Sequence, residues 1–263
     1  MDKIIKIALG LLTVILIAFI SLIAYQGFVE SAYLNSLSST YSYTCTITTD
    51  STLTNVTLFI PVPADPLGNS PIVTRFSAHA IAGLPDDWTV TLYDTGKATM
   101  VKIITPAITP PGGTSPAKPF TLTLSSEMAS NKVIDTREPI NNSALFHPVK
   151  ELQLVACPPG SSLVQETPQC YRYVTSLYAD YEASPGASVN ITSTIVGRNS
   201  WNIFEPESNE YTTVTSLLMS GSHKGWATMK GTLTSGTGTY TTPLSQPGIF
   251  FISPLMNNAG IQF

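Results

Sequence analysis

Residues 7–24 read IALGLLTVILIAFISLIA and contain no charged side chain. A helix apolar on every side has no polar face to turn toward water, so such a run belongs in a large protein core or in lipid. With Ile4 and Ile5 before it and Tyr25 to Val29 after it, the stretch reaches the roughly 20 residues needed to cross ~30 Å of hydrocarbon. A cleaved secretory signal is the rival reading, but its apolar part is usually about 7–15 residues long and ends in a small-x-small site. This run is longer, and no A-x-A pattern follows it. A pilin-type leader would place a basic residue and Gly just before the apolar run, whereas Gly10 lies inside it, after Leu9. The sequence therefore predicts an uncleaved transmembrane helix over 7–28, in contact with the lipid bilayer.

Charge gives the expected orientation. Lys3, Lys6 and the amino terminus precede the helix, and Glu30 is the first charge after it. Positive charge is retained on the cytoplasmic side, so residues 1–6 are expected inside the plasma membrane and the rest outside. Between Tyr25 and Ser39, Phe28, Val29, Ala32, Tyr33 and Leu37 recur at helical spacing, which predicts a helical stalk over 29–40. Ala18, Ser21 and Ala24 offer a small-residue stripe through which the chain could form a homo-oligomer.

Beyond the stalk the period changes from helical to alternating. Tyr41, Tyr43, Cys45 and Ile47 fall on one face, with Ser42, Thr44, Thr46 and Thr48 on the other, the pattern of a half-buried strand. Asp50-Ser51 reads as a turn and Leu53 to Val62 as the strand returning from it. Further strands are expected at Trp88–Tyr93, Ala98–Ile104, Phe120–Leu124, Tyr171–Tyr181, Ser188–Val196, Tyr211–Met219 and Trp226–Leu233. Only 11% of residues are charged, while 34 Thr and 28 Ser make up close to a quarter of the chain. Thr is β-branched and faces water without charge, so the composition suits strands. The expected fold is mainly β: an extracellular β-sandwich over 41–263, one large or two small, with a candidate seam at 106–119 or 150–170.

Cys157 and Cys170 bracket a proline-rich loop and in an oxidising exterior are expected to pair. Cys45 lies on the apolar face of its strand and reads as a buried free thiol. Three N-x-[ST] triplets place glycosylation candidates at Asn55, Asn141 and Asn190.

Signs of catalysis are sparse. In Gly221-Ser222-His223-Lys224-Gly225 the serine stands one place too early for a nucleophile elbow. Ser115 and Lys118 have a reactive spacing, but in a proline-rich loop rather than on a helix. His79, His147 and His223 are far apart and read as surface or capping residues. No zinc, phosphate or dinucleotide motif is present, so no cofactor and no metal is expected. Glu205, Glu207 and Glu210 beside Trp201 form the one speculative ligand loop: carboxylates next to an aromatic ring could serve a glycoside hydrolase or hold Ca²⁺. A solvated loop tip is the simpler reading. Tyr171, Tyr173, Trp201 and Trp226 could form a sugar platform, although large aromatics more often fill a sandwich core. With 13 basic against 17 acidic residues the chain offers no phosphate-neutralising patch, so nucleic acid is not an expected partner.

The segment Trp201 to Tyr211, WNIFEPESNEY, followed by His223-Lys224-Gly225-Trp226 and Gly236-Thr237-Gly238-Thr239-Tyr240, resembles uncharacterised single-pass, Thr-rich cell-surface proteins of methanogenic archaea. The resemblance covers the last third of the chain and the general plan. It implies an archaeal cell envelope, in which the three sequons could be used, and it carries no catalytic residues. The function expected from sequence is a membrane-anchored envelope protein whose ectodomain binds or builds, as scaffold, adhesin or accessory subunit, with protein or glycan partners at the cell surface. It is not expected to be an enzyme. The alternatives are a filament subunit and an exported glycan-directed enzyme.

Overall fold

The computed structural model describes residues 2–95, 99–110, 119–140, 144–158 and 168–240. It opens with one long helix, α1 (Asp2–Ser36), long and apolar enough from Lys3 onward to cross a membrane. From Lys3 to Tyr25 every side chain of α1 is exposed. Contact with the β domain begins at Tyr25, and Val29 is the first buried residue of the helix. The helix stops at Ser36, earlier than the stalk expected over 29–40, because the hydroxyl-rich Ser38–Thr40 already pairs in the sheet.

Ten strands follow: β1 (Ser38–Thr49), β2 (Leu53–Pro61), β3 (Thr89–Asp94), β4 (Thr99–Ile108), β5 (Phe120–Ser130), β6 (Lys150–Val155), β7 (Gln169–Glu182), β8 (Ser188–Asn202), β9 (Pro206–Ser220) and β10 (His223–Gly238). A short helix, α2 (Pro71–Ser77), lies between β2 and β3. The strands form one antiparallel sheet in the order β3-β4-β2-β7-β10-β9-β8-β1-β5, with β6 added beside β7. The period-2 pattern is obeyed: β1, β8 and, from Tyr173 onward, β7 bury every second residue, as strands with one face in a core must.

The sheet curls so that both of its ends face the same core. Tyr43 on β1 meets Phe76 of α2 with ring centroids 6.1 Å apart, and Val101 and Ile103 of β4 share the core with Leu124 of β5. The segment after α2 closes the gap, through paired backbone hydrogen bonds between Ala82 and Ser125. Gly83 is required there: it has φ +79, and a Cβ would collide with the Thr123 carbonyl oxygen on β5. All of the described strands except β6 contribute side chains to this one core.

The reading of β1 and β2 as a strand and its return needs correction. β1 pairs with β5 and β8, whereas β2 pairs with β4 and β7. The corner between them is tied to the β7–β8 corner instead. The Asp50 carboxylate accepts the Ser188 N–H at 2.8 Å, and the Ser51 and Ser184 hydroxyls share a hydrogen bond of 3.1 Å. The paired strands β1 and β8 thus turn together into the paired strands β2 and β7. The turn between β9 and β10 joins the same end, where the Ser222 hydroxyl bonds the Ala183 backbone and the Gly221 N–H bonds Ala187.

Candidate functional site

At the opposite end, the β8–β9 hairpin receives α1. Tyr33 meets Trp201 edge-on at 5.7 Å, Tyr25 stacks on Phe204 at 6.4 Å, and the Ser36 hydroxyl accepts the Asn202 N–H at 2.9 Å. The residues of the speculative ligand loop are engaged in this joint and its surroundings. Trp201 is buried and its Nε1–H donates to Glu207 at 2.8 Å. Glu210 pairs with Arg198 across the β8–β9 ladder, at 2.6 Å. Glu205 is exposed beside them. The three carboxylates therefore do not converge on a common point, and among the described residues no group of three His, Cys, Asp or Glu side chains could hold a metal ion.

The structure places His147 differently from the surface or capping role expected of it. It is buried inside the curled sheet, with Nε2 sharing a hydrogen bond of 2.9 Å with the Ser193 hydroxyl and Nδ1 one of 2.8 Å with Thr213. The Tyr173 hydroxyl lies 3.4 Å from Nδ1, and that of Tyr211 donates to the Leu145 carbonyl. Burial lowers the His147 pKa from 6.5 to about 3, because the charged imidazolium loses its hydration. The serine–histidine contact has the outline of a nucleophile and base. Ser193 is wholly buried, however, and among the described residues no carboxylate orients the ring. The cluster instead clamps residues 144–149, a segment that crosses the inner face and pairs with Ala64 through Phe146.

Cys157 and Cys170 form a disulfide with Cα atoms 5.2 Å apart, and Cys45 is a buried free thiol whose pKa is pushed up to about 12 by desolvation. Asn55 sits exposed at an irregularity in β2 with φ 54, a conformation Asn tolerates well. Asn190 is half-buried on β8, between β1 and β9. Asn141 lies outside the described residues.

The sequence's aromatic candidates divide. Tyr173 and Trp201 are in the interior and Tyr171 is half-buried, but Trp226 is 55% exposed. It ends a row on the outer face of the sheet that the sequence reading missed. Tyr93, Phe59, Tyr178 and Trp226 follow one another across β3, β2, β7 and β10, with ring centroids 4.9, 5.1 and 5.5 Å apart. Lys102 on β4 places its ammonium 5.5 Å from the centre of the Phe59 ring, close enough for a cation–π attraction. Phase was the available signal. Phe59 stands between buried Leu58 and Ile60, and Tyr178 between buried Leu177 and Ala179, so both rings fall on the face that alternation assigns to water.

No family model, curated protein or solved structure matches this chain.

Proposed function

We propose that the chain is a single-pass plasma-membrane protein of the cell envelope, with its amino terminus in the cytoplasm and its β domain outside, where it binds or scaffolds surface partners. The observation that carries this reading is the contrast along α1: its apolar span is bare while its last turns are packed against a folded domain. An apolar surface of that size requires a non-aqueous neighbour. Lys3 and Lys6 at its start favour retention of that end in the cytoplasm. The disulfide supports an oxidising location for the domain, and the resemblance to surface proteins of methanogenic archaea points the same way.

The test is protease accessibility in intact cells, with an epitope on each terminus. The carboxy-terminal epitope and the β domain should be digested without lysis, and the amino-terminal epitope protected. A β domain protected until lysis, or a mature chain lacking residues 1–28, would overturn the proposal.

A further inference from the structure

We infer that the row Tyr93–Phe59–Tyr178–Trp226, with Lys102 set among its rings, is a binding platform for an acidic glycan, a chain of sugars bearing carboxylates. This rests on the reading above that the domain faces outward.

Three observations select this occupant. The first is chemical composition. The two terminal rings are open, Tyr93 at 45% and Trp226 at 55% exposed. The surrounding outer face is mostly polar, with Thr57, Ser176, Thr228 and Asp180 as neighbours in the registers of β2, β7 and β10 and the exposed Ile104 of β4 opposite Thr57. Flat apolar rings in a hydroxyl-rich setting suit a ligand whose faces are C–H and whose rim is polar, as a sugar is, better than a purely apolar surface.

The second is charge. On β4, β7 and β10 the outer face carries Lys102, Arg172, Lys224 and Lys230 against Asp180 and Glu182, while the whole chain has 17 acidic and 13 basic residues. Asp180 is already engaged by Lys224 at 3.6 Å. A locally basic strip on an acidic protein complements an anionic ligand. Lys102 stands between the two open rings, so a carboxylate could meet its ammonium while neighbouring sugars lie on Tyr93 and Trp226.

The third is position. Gly238 pairs with Asn209 near the hairpin that receives α1, and Trp226 lies twelve residues farther along β10. At ~3.3 Å per residue this is about 40 Å along the strand. The row is therefore remote from the helix joint, and it is not an aromatic belt seated at the lipid headgroups.

The test uses the purified full-length chain in detergent micelles, titrated by calorimetry with an oligogalacturonate and with a neutral glucan oligomer of equal length. The acidic oligomer should bind, and the neutral one at least about tenfold more weakly. Trp226→Ala should weaken binding by about tenfold, the loss expected of one anchoring ring. Lys102→Gln should weaken it and flatten its dependence on salt. Trp226→Tyr, which keeps a flat ring, should retain most of the affinity and controls for misfolding. Absence of binding to the acidic oligomer, unchanged binding by both Trp226→Ala and Lys102→Gln, or equal affinity for the neutral oligomer would each overturn the inference. So would self-association that Trp226→Ala abolishes, which would assign the row to a second copy of the chain. Binding in micelles does not depend on orientation in the cell. A domain that is accessible outside yet fails to bind removes the ligand assignment alone, and a chain that binds with its domain protected removes the cellular placement alone.

Discussion

Tyr211 lies across Gly197, the residue directly opposite it on β8, so closely that a Cβ at 197 would collide with the tyrosine ring. Tyr173 and Gly231 repeat the arrangement between β7 and β10. In each pair the missing side chain lets the ring lie over the neighbouring strand, a known remedy for a glycine within a sheet. It also aims both hydroxyls inward, Tyr211 to Leu145 and Tyr173 to His147. The two glycines thus help to hold the inner segment 144–149.

Gly197→Ala and Gly231→Ala should therefore destabilise the domain by about 1–3 kcal/mol each, the usual cost of overpacking a filled core. Chemical denaturation of the purified chain measures this. A stabilising effect from either substitution would contradict the packing described.

His147 makes the fold acid-sensitive. Its folded pKa, about 3, lies below the unfolded value of 6.5, so the unfolded chain binds the proton more readily. The stability contributed by the neutral ring is complete above about pH 6.5 and is lost as pH falls toward the folded value, by at most about 1.4 kcal/mol per pH unit. His147→Gln, which cannot titrate, should unfold less steeply with acid over that window. Parallel stability–pH curves for the two proteins would refute this account.

Reduction of the Cys157–Cys170 bond, or its replacement by serines, should lower stability by about 3 kcal/mol, the chain-entropy effect of closing a loop with a sequence separation of 13. The thermal transition with and without reductant reports it. Cys45, buried on β1, should resist alkylation in the folded chain under both conditions.

Trp201→Ala should free α1 from the β domain, because the ring meets Tyr33 and its N–H holds Glu207. Limited proteolysis between residues 34 and 40 should become at least about tenfold faster in detergent. An unchanged cleavage rate would show that Tyr25–Phe204 and Ser36–Asn202 suffice.

Nine of the ten described strands were legible because their signal is local, while β6 was missed because it is exposed from Lys150 to Leu154 and shows no alternation of buried residues. Tyr41, Tyr43, Cys45 and Ile47 share a face by alternation, and all four are buried. The partnering of β2 was not, because it is fixed by Asp50 reaching Ser188, far away in the sequence. His147 escaped for the same reason: its partners come from β8 and β9, and nothing beside it marks it as interior. The aromatic row was half legible. Rings out of phase with the buried residues could be read at Phe59 and Tyr178, but their alignment with Tyr93 and Trp226 depends on the strand order β3-β4-β2-β7-β10, which only the fold supplies.

One residue, Leu37, separates the end of α1 from the start of β1. There is no slack between the span and the sheet, so tension applied to the domain passes directly into β1. β1 is held on both sides, by β5 and β8, over nearly its whole length. Pulling it out means breaking two complete ladders. The first strand is therefore held from both sides at the point where traction on the span would reach the domain.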